Sequence, residues 1–370
     1  MAGAVELPAA AEALKFIAMT PKTALALFGI GLVGGTLSGF LGTGGAFIMT
    51  PAMMSLGIPG IMAVAANITH KFGKAIMGAK KHSEFGNVDM RMGLVMFIAL
   101  FAGVKVAVSM NKGVLEKMGA AGSNLYISIM FIIILSWVAI FMFRDIMRQR
   151  KGVVKQEAQK GPTLAEKIRN LNIPPMIHFK VAGVRASLWL ALLVGFATGF
   201  LAGTIGVGGF IGVPAMIYLL GIPTYVAAGT ELFLAIFSGM QGAFLYAING
   251  YVDIRITLLL YLGSLIGINL GAIGTRVVRG SQIRLVMVAI IAMVALSRAA
   301  MVPKYLSDMG YASVAAGTLH VVSFLSDVFL FGSGAVGVSL IFFWMLQAYR
   351  RAAKEKAAGA ELSGSEVSST

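Results

Sequence analysis

Apolar positions in this chain run in long unbroken stretches, not in the alternation of a half-buried soluble strand or helix. No Lys, Arg, Asp or Glu lies between Lys22 and Lys71, nor between Arg185 and Glu231. A bilayer-spanning helix needs only about 20 apolar residues, so each stretch holds more than one element. Apolar segments fall at roughly 24–57, 60–80, 92–110 and 123–143, and again at roughly 188–220, 224–248, 256–277 and 283–299. The pattern predicts an all-α polytopic membrane protein: two tandem four-span repeats plus a C-terminal hydrophobic segment, about 8–10 spans in all. The expected organisation is a first repeat over 1–150, a basic cytoplasmic loop over 151–187, a second repeat over 188–300 and the C-terminal segment over 301–370. Four crossings per copy would give both repeats one orientation, with the N-terminus inside. Residues 309–349 would cross once or form a hairpin turned near Gly332-Ser333-Gly334, and Gly359 to Thr370 read as disordered.

The two sets of segments are copies. Gly31 to Pro59 and Gly195 to Pro223 align without a gap, 164 residues apart (31 to 195). Gly31, Gly35, Leu37, Gly39, Gly42, Gly44, Gly45, Leu56, Gly57, Ile58 and Pro59 recur identically at that offset. The register persists where Gly86, Val88, Asp89 and Arg91 recur as Gly250, Val252, Asp253 and Arg255.

Segments 24–57 and 188–220 are too long for one straight span, since about 34 helical residues extend roughly 50 Å against a hydrocarbon core of about 30 Å. The predicted breaks are Gly42-Thr43-Gly44-Gly45 and Gly206-Val207-Gly208-Gly209. Breaking a helix exposes unpaired N–H groups and a positive dipole end, which suit an anion. Such a break survives in lipid only around a wet or liganded cavity. Gly31, Gly35, Gly39 and their copies Gly195, Gly199, Gly203 differ: their four-residue spacing on one face reads as close helix packing.

Composition agrees, with 58% hydrophobic and 12% charged residues, against about 25% charged in soluble domains. The net charge of +15 does not indicate nucleic acid, because the basic residues cluster between apolar spans without interleaved aromatics. Ten Lys or Arg lie between Arg144 and Arg185, and Arg350, Arg351, Lys354 and Lys356 follow the last apolar segment. This fits cytoplasmic retention of basic loops. Cysteine is absent, and the four histidines share no metal-ligand spacing, so neither a metal nor a cofactor is expected.

The duplicated G-x-x-G-x-G-G, the following proline, the G-I-P turn and the V-D-x-R start of the third span resemble the sulfite exporter TauE/SafE family of bacterial membrane proteins. The resemblance covers roughly 24–110 and 188–278. It implies a transporter of sulfite, sulfate, organosulfonates or similar small oxyanions in the bacterial cytoplasmic membrane. The chain departs from that pattern at Ala66-Asn67-Ile68-Thr69-His70-Lys71, and in the second copy at Glu231 after Gly229-Thr230.

These departures supply charge inside the membrane, where it is costly and usually faces a cavity. Lys71 can hold an oxyanion as a point charge, and Glu231, which matches Asn67 across the duplication, suits a coupling proton. Candidate substrate-binding residues are therefore Gly42, Thr43, Gly44, Gly45, Asn67, Thr69, Lys71, Thr204, Gly206, Gly208, Gly209, Thr230 and Glu231, with His70 a secondary candidate. Lys74, Lys80 and Lys81 read as snorkelling to the interface, and Asp89 and Asp253 as helix caps. The expected function is a secondary transporter working by alternating access, with the lipid bilayer and a small anion as partners and room for a coupling proton or cation. An anion channel is the alternative. An intramembrane enzyme is a further one, although Ser38 and Thr43 have no spaced His/Asp set to serve as catalytic partners.

Overall fold

The computed structural model describes residues 17–41, 45–150, 173–278 and 280–367. Gly42, Thr43 and Gly44, and the loop residues 151–172, lie outside these. Ten helices are described: α1 (Pro21–Leu41), α2 (Ala46–Ser55), α3 (Gly60–Glu84), α4 (Met90–Arg150), α5 (Leu188–Ile205), α6 (Gly209–Leu220), α7 (Thr224–Ile248), α8 (Ile254–Val277), α9 (Gly280–Asp308) and α10 (Ala316–Val367). A short antiparallel hairpin, β1 (Met176–Phe179) and β2 (Val184–Ser187), precedes α5. Among the described residues, seven helices are long and apolar enough to cross a membrane. Leu94, Ile98, Ile133, Trp137, Leu258 and Leu262 are exposed on their outer faces, as lipid contact requires.

The α4 helix contains two arms. Gly119 has φ 67° and ψ −169°, a conformation that glycine adopts cheaply and other residues do not. Asn111 and Tyr126 flank it: Asn111 donates to Thr204 O, and Tyr126 lies near the Thr204 side chain. In a straight helix those two residues would stand about 22 Å apart, so the arms fold back on each other.

Both predicted breaks occur, one between α1 and α2, the other between α5 and α6. Each forms a re-entrant pair. A Cβ at Gly34 would lie 3.3 Å from the Gly45 carbonyl oxygen, and one at Gly212 would lie 2.8 Å from Thr198 Oγ1. Along continuous helices these pairs would be about 16 and 21 Å apart. The α2 and α6 segments therefore double back towards the side on which their partners began.

This changes the orientation of the copies. The glycines at 31, 35 and 39 face the backbone of Leu260, Ser264 and Ile268 on α8, and those at 195, 199 and 203 face Met96, Leu100 and Val104 on α4. Each partner set is the other's copy at the same offset of 164 (96 to 260). α1 thus runs parallel to α8, and α5 parallel to the first arm of α4. The intervening helices reverse direction one after another: α3 antiparallel to α7 (Gly78 near Leu232, Gly242 near Ile68), and the second α4 arm antiparallel to α9 (Arg284–Asp145 at one end, Gly122 near Met309 at the other). A re-entrant pair plus three crossings makes an odd count, so the copies point in opposite directions. The expected shared orientation is thereby corrected. An apolar run gives the length of a segment, not whether the chain emerges from the far side.

The tail is likewise settled. Of the two expected alternatives the single crossing occurs: α10 is one helix with no turn at Gly332-Ser333-Gly334 and runs to Val367, and residues 368–370 lie outside the described residues. Ser326, Gly337 and Ile341 pack on Ser297, Ile290 and Gly274, which makes α10 antiparallel to α9.

The two aspartates cap helices, as expected. Asp89 Oδ1 accepts from Met92 N at 3.0 Å, and its Oδ2 from Val181 N and Ala182 N at 3.1 Å, which docks the β-hairpin on α4. Asp253 accepts from Arg255 N at 2.9 Å and pairs with the Arg255 guanidinium at 2.8 Å. Burial alone would raise the Asp253 carboxyl, but the Arg255 bonds prevail and hold it below the usual carboxylate range. A depressed folded-state value stabilises the fold above the unfolded value, about 3.9, and that stability is lost as pH falls through the folded value. Thermal melts should show wild type more stable than Asp253→Asn at neutral pH, the gap closing below about pH 4.

Candidate functional site

The second break is held open by side chains that satisfy its orphan groups. Gly206 ends α5 at φ 80°, a left-handed C-terminal position suited to glycine. The last carbonyls of α5 each find a donor: Gly203 O from Tyr246 at 2.7 Å, Thr204 O from Asn111 at 3.0 Å, and Ile205 O from Thr50 at 3.3 Å. Thr50 belongs to α2, so the two re-entrant pairs are joined here, and the Phe47 and Phe210 rings meet at 5.1 Å.

Beside this turn lies a cavity of about 100 Å³ between α1, α3, α7 and the α5–α6 turn. Its polar walls are Ser38, His70, Lys71, Lys74, Glu231 and the backbone from Gly206 to Gly209. One water needs only roughly 10–15 Å³ on such a measure, so a small multi-atom anion is accommodated.

Glu231 sits at the start of α6. A Cβ at Gly209 would lie 2.9 Å from its Oε1, and one at Gly212 would lie 2.5 Å from its Oε2. Its side chain is 6% exposed and stands 3.7 Å from Lys71 Nζ, an ion pair too long for a hydrogen bond. Lys71 in turn faces Gly208, where a Cβ would be 3.4 Å from Nζ. Lys74 donates to Ser38 Oγ at 3.3 Å, and His70 Nε2 meets Ser264 Oγ at 2.6 Å. Lys71 pairs with the carboxylate, and Lys74 lines the same cavity bonded to Ser38.

Of the predicted residues, the structure brings Lys71, Gly206, Gly208, Gly209 and Glu231 together around the cavity. Asn67 lies against Gly206 and donates to Thr50 Oγ1 at 2.8 Å. Gly45 sits at the first turn, against the Gly34 backbone. Three hydroxyls make other bonds and do not line the cavity: Thr69 to Ala65 O, Thr204 to Phe200 O, and Thr230 as acceptor from Asp89 N. Gly42, Thr43 and Gly44 lie outside the described residues, and the charged walls come from both copies, Lys71 and Lys74 from the first and Glu231 from the second.

Lys74 and Ser38 were missed. The snorkelling reading is corrected for Lys74, which lines the cavity, while Lys80 and Lys81 are exposed. Lys74 lies three residues after Lys71 and four after His70, a spacing that puts all three on neighbouring helical positions. That signal was available in the sequence.

The comparison with known families follows this geometry. The model of the sulfite exporter TauE/SafE family matches residues 27–298, well over half of the chain and both re-entrant pairs. The chain belongs to the TauE/SafE family. Among curated relatives, it is 26% identical to the probable membrane transporter protein YunE of Bacillus subtilis over 270 residues, 70% of this chain and 90% of the relative. It is 26% identical to the probable membrane transporter protein YdhB of the same organism over 246 residues, 64% of this chain and 84% of the relative. No solved structure gives a significant match. The protein is a multi-pass membrane transporter of this family.

Proposed function

We propose that the protein is a secondary transporter that binds one small oxyanion in the cavity between α3, α7 and the start of α6. The observation that carries this reading is the charge count around the cavity. Lys71 and Lys74 line the cavity with a single carboxylate, Glu231, which pairs with Lys71 and leaves one positive charge for a ligand. The N-terminus of α6 adds unpaired backbone donors and a positive dipole end. Sulfite, sulfate and sulfonates each present at least three oxygens in different directions, which suits point charges and backbone N–H groups converging from different helices.

The opposed copies support alternating access. In inverted repeats, exchange of conformation between the two copies moves the opening from one face to the other. Here the cavity lies beside the middle of α3 and the first half of α7, since Lys71, Lys74, Ala228 and Glu231 are among its walls. At the matching place in the first copy, Gly45 packs on the Gly34 backbone and Asn67 donates to Thr50 Oγ1. Uptake of sulfite, sulfate and methanesulfonate into proteoliposomes should saturate for at least one of them. Flux that rises linearly with concentration would favour a channel, and no flux of any would remove the anion reading.

Sidedness follows from the basic residues. Lys80, Lys81, Arg91, Arg144, Arg148, Arg150, Lys180, Arg185, Arg284 and the Arg350–Lys356 group belong to one end of the bundle. The other end holds Lys22, Lys112, Lys117, Arg255 and Lys304. The positive-inside rule puts the first end in the cytoplasm of a bacterial inner membrane, with the N-terminus outside and the C-terminus inside. Because the chain has no cysteine, an impermeant thiol reagent on intact cells should label Lys22→Cys and Tyr311→Cys but not Phe85→Cys. The reverse pattern would invert the assignment.

A further inference from the structure

We propose that Glu231 is an internal anion that occupies the substrate's place, and that substrate binds only as Glu231 takes up a proton. The proposal rests on the anion-binding reading of the cavity and adds the coupling ion to it.

Three observations support it. The Glu231 carboxylate lies at the first turn of α6, against Gly209 and Gly212, the spot that an anion at this helix end would fill. It is also the acid next to Lys71, so the same group engages two of the cavity's anion-binding features. Among the described residues neither of its oxygens accepts a hydrogen bond, although the side chain is only 6% exposed. A buried carboxylate held by one ammonium at 3.7 Å and a helix dipole is replaceable by a better ligand for the same groups. A carboxylate meant as permanent structure is bonded on both oxygens, as Asp89 is.

The charges balance. Ligand-free, Lys71, Lys74 and Glu231 sum to one positive charge. With a monoanion bound and Glu231 protonated, the two ammonium groups and the anion again sum to one positive charge. One proton therefore enters with each monoanion at no change in buried charge, and the protonated carboxyl can donate to the anion that displaced it. The other groups facing Glu231 are His70, Lys71 and Lys74 on α3, with His82 on the same helix close to Gly229; α5 and α6 present Thr198 and glycines. Asp89 lies one residue away from this wall, bonded through its backbone to Thr230. The first copy has Asn67 at the matching position, which cannot titrate, so the coupling belongs to one copy alone.

The test is equilibrium binding of sulfate and of methanesulfonate to the purified protein across pH, since neither anion titrates near neutrality. Wild type should bind either anion about tenfold more weakly for each unit of rising pH, one linked proton, until binding is lost. Glu231→Gln removes the internal anion but keeps its shape. It should bind the anion more tightly than wild type at neutral pH, with affinity independent of pH. Wild-type affinity that does not change with pH overturns the proposal without any variant and leaves the anion site standing. Failure of both anions to bind either protein overturns the anion reading and this proposal together.

Discussion

Gly209→Leu should yield a protein that inserts and folds but does not transport, whereas Gly45→Leu should fail to assemble. The two glycines occupy identical places in the duplicated sequence, yet their surroundings differ. A Cβ at Gly209 meets the end of the Glu231 side chain, at 2.9 Å from Oε1 and 3.1 Å from Cγ. A flexible side chain can swing aside, so leucine would be accommodated by filling the cavity and displacing the carboxylate. A Cβ at Gly45 would instead collide with the Gly34 backbone, which cannot move without pulling α1 from α2. Overpacking of this kind costs about 1–3 kcal/mol in a well-packed core and more where backbone must shift. Size-exclusion profiles and uptake, measured on both variants, separate the outcomes. Equal loss of folded protein in both would mean that the second turn is structural too.

Lys71→Met should have the second large effect, in two parts. Methionine keeps the length and the apolar stem but removes the ammonium, so oxyanion affinity should fall tenfold or more, about 1.4 kcal/mol or greater. The same change leaves Glu231 buried without its cation. Removing one partner of a buried pair costs about 3–5 kcal/mol, so the melting temperature should fall as well. The double variant Lys71→Met/Glu231→Gln should recover stability but not affinity. Lys74→Met should lose affinity with a smaller stability change, because Lys74 meets only the Ser38 hydroxyl. Lys81→Met, on an exposed position, should change neither quantity. Equal, slight losses in all three single variants would return Lys71 and Lys74 to the interface and rest the site on backbone groups alone.

Much of this was legible in the sequence because some physical demands leave few residue choices. Backbone-to-backbone packing of α1 on α8 and of α5 on α4 admits only glycine at the contact, and the four-residue spacing showed it. The breaks were legible from the length of the apolar runs together with the Gly-x-Gly-Gly clusters. Direction was not, because a helix of ten residues such as α2 is equally apolar whether it goes on or turns back. The odd, basic C-terminal crossing was the clue to that error: with a re-entrant pair in each copy, one crossing by α10 returns Arg350 to the end that holds Arg144. Hydroxyl groups were misjudged for a different reason. Thr69 and Thr204 spend their hydroxyls on carbonyls four residues back, a local bond that every helical threonine can make and that spacing does not reveal. Lys74 was assigned to the interface as a snorkelling residue of a short span, although what decides is which neighbour stands opposite, and here that neighbour is the Ser38 hydroxyl of α1.

The central claim is that a single oxyanion is held between the two α3 lysines and the first turn of α6. Anomalous diffraction from crystals grown with selenate, a heavy-atom sulfate analogue, tests it most directly. The account predicts one ordered selenium peak within contact of Lys71 Nζ, Lys74 Nζ and the Gly208–Gly209 backbone, with the Glu231 carboxyl displaced from the α6 terminus. Selenate ordered elsewhere, for instance beside the buried guanidinium of Arg298, while this cavity stays empty and Glu231 stays in place, would contradict it.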